Sequence, residues 1–135
     1  NKFDSFTLAL AAKVHNLNTD VLKVALSNVL PAAANATLSQ ITQIAVGNGY
    51  VAGGNQATQV SSSQTAGTYK LVLNDVTFLA AGGAIAPFRY AVLFNDTALS
   101  DELIGWIDTG ATQNISDGNS FTVDFDASLG VLTIA

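Results

Sequence analysis

Asp124 and Asp126 are the residues whose types and spacing most suggest chemistry. Two apart in an expected strand, their carboxylates project from one face about 7 Å apart. Such a pair runs glycoside hydrolysis or holds calcium. Nothing aromatic or basic in the local sequence suggests a sugar cleft, so a solvated strand face is the expectation. Asp96, Asp101 and Glu102 form a second acidic group in a loop, without the regular oxygen-ligand spacing of a calcium site. His15 is the one side chain suited by its unperturbed pKa to proton transfer near neutral pH. It falls at an expected helix end, where an imidazole caps carbonyls.

The chain has no cysteine and one histidine, which excludes disulfides and thiolate sites and argues against an all-protein zinc site. No G-x-S-x-G elbow is present for a hydrolase. Gly47–Gly54, GNGYVAGG, matches neither G-x-G-x-x-G nor a Walker loop and reads as turn glycines. N-x-S/T triplets at Asn35, Asn95 and Asn114 are expected by chance in a chain this rich in Asn, Ser and Thr. The expectation is a protein that is not an enzyme, with no catalytic residues, cofactor or metal.

Charged residues make up 11% of the chain, against about 25% in an average soluble domain. Interface cores are depleted of charge, so the composition suggests an exterior covered by neighbouring subunits and a homo-oligomer. With a net charge of −5 and one arginine, Arg89, the chain cannot neutralise a phosphate backbone, so no nucleic-acid partner is expected. No apolar run reaches membrane-span length, and the N-terminus lacks a signal peptide's basic region and apolar block.

The elements that must position these residues centre on Phe88–Gly110. Phe88, Tyr90, Val92 and Phe94 alternate with Ala91 and Leu93, so both faces are apolar, as in a central strand. The return arm sets Ile104 and Trp106 against Leu103, Gly105 and Ile107, and Val92, Phe94 and Trp106 are expected in the core. Phe3, Phe6, Leu10, Val14 and Leu17 predict a helix from residue 4 to about 15, capped by Asp4 or Ser5. Thr19–Asn28 reads as a strand, and Thr37 with Gln40 as a capping box opening a short second helix near 37–45. Residues 56–64 predict a polar edge strand and 68–74 a strand that 76–79 continues past a bulge at Asn74 and Asp75. Ser120–Asp126 and Leu129–Ala135 complete the set.

The expected architecture is a single domain, 1–135, mainly β. It is an antiparallel β-sandwich of about seven strands, immunoglobulin-like or jelly-roll-like, over 19–135. Residues 1–18 form a helical segment before it. Because a terminal segment needs something to tie it down, Phe3, Phe6 and Leu10 are the expected contacts with a neighbour.

RYAVLFNDTALSDELIGWIDTG, followed by DGNSFTVDFDASLGVLTIA, resembles small virion structural proteins of tailed bacteriophages. DVLKVALSN and GNGYVAGG extend the resemblance over nearly the whole chain, with Phe94 where that family's loop has a tyrosine. The resemblance implies a head decoration or cement protein on the phage head exterior, made in the bacterial host cytoplasm and bound to the major capsid protein. It assigns no binding residues. The alternative from another class is a tail or adhesin-type module that binds host-surface carbohydrate on Tyr50, Tyr69 or Trp106.

Overall fold

In a computed structural model, which describes residues 1–135, the chain is mainly β and its sheets are antiparallel. The order is α1 (Ser5–Ala11), then β1 (Leu22–Ser27), β2 (Asn55–Ala57), β3 (Gln59–Thr65), β4 (Thr68–Leu73), β5 (Val76–Leu79), β6 (Ile85–Asn95), β7 (Leu103–Ile115), β8 (Ser120–Val123) and β9 (Leu132–Ile134). They form a four-stranded sheet β2-β1-β6-β7, a three-stranded sheet β3-β4-β9 and a two-stranded pair β5-β8.

Strand β6 lies inside the largest sheet, paired with β1 from Leu22↔Asn95 to Ser27↔Tyr90 and with β7 on its other edge. Its two apolar faces serve two cores. Ala91 and Leu93 join Val24, Leu26, Leu71, Phe78 and Phe88 in the main core. Val92 and Phe94 join Phe3, Ala25, Leu38, Ile41 and Leu103 in a second, smaller one, with Trp106 packed at its margin.

The face assignment expected for β7 is corrected by a bulge. Phe94 pairs with Leu103 but Leu93 pairs with Gly105, so the extra residue reverses the alternation. Leu103 and Trp106 therefore share the second core while Ile104 enters the first. Trp106 is half-buried, stacked at a tilt on Phe3 with ring centroids 4.6 Å apart. It is a cover over the second core, whereas Val92 and Phe94 are fully inside.

The expected helix is cut short. Lys13 takes a left-handed φ of 63°, which turns the chain and shifts the helical phase. His15 and Leu17 then point inwards and Val14 stays exposed. Ahead of the helix, residues 1–3 run along the free edge of β7: Trp106 N–H donates to Asn1 O at 2.9 Å and Phe3 N–H to Ile104 O at 3.2 Å. Gly105 is what lets that backbone approach, because a Cβ there would press on the Asn1 carbonyl.

Phe3 thus covers one face of the large sheet, and Phe6 enters the main core on the other. The expectation that Phe3, Phe6 and Leu10 face a neighbour is corrected: Phe3 and Phe6 are buried in their own chain, and only Leu10 keeps accessible surface.

The second helix reduces to a single 3₁₀ turn, Leu38–Gln40. Gln40 Oε1 accepts from Ala36 N–H at 2.6 Å and Thr37 N–H at 3.2 Å, but Ile41 is already extended and goes to the second core. Asn74 and Asp75 are not a bulge within one strand. They are the point where the chain leaves the three-stranded sheet for the β5-β8 pair.

Phe94→Ala is expected to cost about 3–5 kcal/mol, as aromatic truncations in cores do. Trp106→Ala should cost clearly less, because part of the indole is already in water. Urea unfolding of the two variants tests the order, and an equal or larger loss at Trp106 would contradict the two-core assignment.

Candidate functional site: an uncharged end and the polar groups opposite it

The two acidic groups lie in different settings. Strand β8 ends at Val123, so Asp124 and Asp126 flank buried Phe125 in the irregular segment between β8 and the turn at 127–129. Asp126 Oδ1 accepts from Ser128 N–H at 2.7 Å and Leu129 N–H at 2.8 Å, and these donors hold its carboxyl below the usual range. The pair borders a cleft of about 480 Å³ whose other walls include Leu93, Ile104, Val123 and Leu132. A glycosidase acid needs its pKa raised, and Asp126 is shifted the opposite way. In the β6–β7 loop, Asp96 pairs with Lys23 at 2.8 Å and Glu102 Oε2 accepts from Ser100 N–H at 3.2 Å. Asp101 adopts a left-handed φ of 53°. The Asp96 and Glu102 carboxylates are used locally, and the three do not form a metal-holding cluster.

The aromatic candidates are likewise dispersed. Tyr50 is buried, with its hydroxyl donating to Gln43 Oε1 at 2.8 Å and accepting from Leu26 N–H at 3.1 Å, so it offers no stacking face. Trp106 packs on Phe3 at the margin of the second core and is also among the residues lining the carboxylate cleft. Tyr69 is half-buried and shares a hydrogen bond with Ser62 Oγ at 2.9 Å.

What the structure does gather is an uncharged surface. Residues 24–69 contain no Asp, Glu, Lys, Arg or His, and neither do residues 76–88. Segments of both runs meet where β1 finishes and β6 begins. Ser27 Oγ donates to Val29 O or Thr42 O, at 2.9 and 2.7 Å, tying the end of β1 to the following loop. Ala81 N–H donates to Asn48 O at 3.0 Å, and Asn48 Nδ2 to Ala84 O at 2.8 Å. Val29, Leu30, Val46, Val51 and Leu79 are each more than half exposed there. The charges bordering this end are Asp117, beside the Gly118 N–H that donates to Ala80 O at 2.9 Å, and the mutually paired Arg89 and Asp108. Lys23, Asp96, Asp101 and Glu102 lie towards the opposite end, around the β6–β7 loop.

No protein family, characterised protein or solved structure matches the chain.

The charged end is built around Asn95, which is fully buried at the end of β6. Its Oδ1 accepts from Thr97 N–H at 3.0 Å and Ala98 N–H at 3.2 Å, which fixes the amide orientation. Its Nδ2 then donates to Asp20 Oδ2 at 2.6 Å and to His15 Nδ1 at 3.1 Å. His15 is therefore neutral, with its proton on Nε2, and that nitrogen is buried without a partner. It stacks on Phe6 with centroids 5.4 Å apart and caps no helix carbonyl, which corrects the expectation from its position in the sequence. Sequence periodicity missed this site because Asn95 reads as a turn residue, and its partners lie 75 and 80 positions away.

Burial lowers the His15 pKa from 6.5, and this outweighs the opposing fields of Glu102 and Asp20. A depressed histidine pKa means that the unfolded chain takes up the proton first as pH falls. The contribution to stability is intact above about 6.5 and declines below it, until the folded protein also protonates. The urea midpoint is expected to drop between pH 7.5 and 5.5, and His15→Gln should flatten that drop. An unchanged pH profile in His15→Gln would contradict the neutral, buried assignment.

Proposed function

We propose that this chain is a non-enzymatic structural protein of a tailed-phage particle. On this reading it is a decoration or cement protein on the head exterior, made in the bacterial host cytoplasm and seated on the major capsid protein lattice. The four-stranded sheet set against the two smaller ones is read as a β-sandwich. The observation that carries the proposal is the uncharged end, whose segments leave Val29, Leu30, Val46, Val51 and Leu79 each more than half exposed. Exposed apolar side chains collected without charges mark a surface that meets another protein.

The sequence resemblance supplies the kind of partner, and its most informative stretch is the β6–β7 hairpin. Charge supports the same assignment: a chain of net −5 with one arginine has little with which to hold nucleic acid. No helix is long and apolar enough to cross a membrane. A small contact per copy is sufficient in a shell, because self-association and lattice binding reinforce each other across many copies.

The double substitution Val46→Asp with Val51→Asp places two carboxylates on the uncharged end at exposed positions. Surface changes of this kind shift stability by roughly 0.5 kcal/mol each or less. Binding to particles that lack the native copy, read by co-sedimentation, is expected to fall about tenfold or more, as for loss of an interface hot spot. Lys13→Glu at the charged end should leave occupancy unchanged. Full occupancy by the double variant would overturn the proposal.

A further inference from the structure

Strand β3 is the one long strand edge in the molecule with nothing to shield it. β2, β5, β8 and β9 present only three or four residues each. The edge of β7 is flanked by Asn1–Phe3 and then broken by an excursion, where Tyr90 pairs with Asp108 but Phe88 with Gln113. By contrast β3 runs seven residues, Gln59–Thr65, with β4 on one side only. Natural edges are blocked by lysine, proline, inward charges or central bulges. Gln59–Thr65 contains no charge and no proline, and its single irregularity lies near one end, between Gln59 and Ser61.

The free hydrogen-bonding groups can be placed. Ala66 and Gly67 form a two-residue turn, both with positive φ (49° and 86°), which makes Thr65 and Thr68 a hydrogen-bonded pair. By the alternation of an antiparallel ladder, Ser62 and Gln64 then direct their N–H and C=O away from β4, towards the open edge.

We infer that this edge pairs with the same edge of a second copy, antiparallel, about a two-fold axis at Ser63, so that Ser62 of each copy is hydrogen-bonded to Gln64 of the other and the two Ser63 residues face each other. The occupant follows from charge. Two copies of a chain with net charge −5 repel, and β3 is a strand edge along which they meet with no like charges opposed. Ser, Gln and Thr face their counterparts across the axis, and each copy satisfies the other's outward N–H and C=O groups. The product is a continuous six-stranded sheet, β9-β4-β3 joined to β3-β4-β9, and both copies keep their uncharged ends free for the lattice. One strand pair buries less than a standard interface, so the dimer is weak alone and strengthened in a shell. This inference rests on the self-association in the proposed function and names its surface.

Two substitutions test it in the full chain. Ser63 is exposed and pairs with Lys70 in its own hairpin, so Ser63→Glu adds an attraction within the chain and a carboxylate repulsion across the axis. Ser63→Cys introduces the only cysteine, and paired Cα atoms about 4.5–5.5 Å apart suit a disulfide. The expected result has two parts. The unsubstituted chain associates with rising concentration in sedimentation while Ser63→Glu stays monomeric. Ser63→Cys oxidises to a covalent dimer about tenfold faster than Asn114→Cys, an exposed control on β7, because pairing raises the local thiol concentration. Association unchanged by Ser63→Glu, or equal cross-linking rates at the two positions, would overturn the β3 assignment while leaving self-association standing. A chain that stays monomeric at every concentration would overturn both.

Discussion

Strand β6 leaves no face to solvent between Tyr90 and Asn95, and the rest of the chain is arranged to supply it with two covers. Burying a large apolar side chain is worth roughly 1.5–3 kcal/mol, so leaving either Ala91 and Leu93 or Val92 and Phe94 in water would be costly. The main core answers one face with β4, β5 and β8. The other is answered by Phe3, Leu38 and Ile41, which come from segments with little regular structure. The N-terminal segment serves both sides at once, because residues 1–3 run along β7 and the chain then turns so that Phe6 lands on the opposite face from Phe3.

Much of this was legible in the residues. Two-sided apolarity marks β6 as central, the polar run 56–64 points to an edge although it is divided between β2 and β3 in different sheets, and Gly54 reads as a turn glycine. It has a φ of 67°, and a Cβ there would collide with the Val24 carbonyl. Three features were not legible, each for a physical reason. The bulge at Ile104 and Gly105 reverses the side-chain alternation without changing composition, so Trp106 was placed in the core with Val92 and Phe94. The left-handed Lys13 breaks a stripe that would otherwise continue to Leu17, so His15 was read as a cap. The change of sheet at Asn74 and Asp75 depends on pairing partners almost fifty residues later, which no local window contains.

The functional reading depends on how charge is distributed more than on how much there is. A mean of 11% charged residues conceals a chain in which residues 24–69 carry none and Lys23, Asp96, Asp101 and Glu102 gather towards one end. The buried network of Asn95, His15 and Asp20 anchors that polar end, holding the β6–β7 loop and the segment after α1 to each other. The opposite end is held differently: the Tyr50 hydroxyl donates to Gln43 Oε1 and accepts from Leu26 N–H, Ser27 Oγ ties the end of β1 to the following loop, and Val29, Leu30, Val46, Val51 and Leu79 lie exposed outside these bonds.

The most direct measurement is the position and orientation of this chain on intact particles, obtained by electron cryo-microscopy. Val29, Leu30, Val46, Val51 and Leu79 are expected to be buried against the major capsid protein, with the loop carrying Asp96, Asp101 and Glu102 facing solvent. A copy docked by its charged loop with those five residues in water, or a chain missing from the particle altogether, would contradict this assignment.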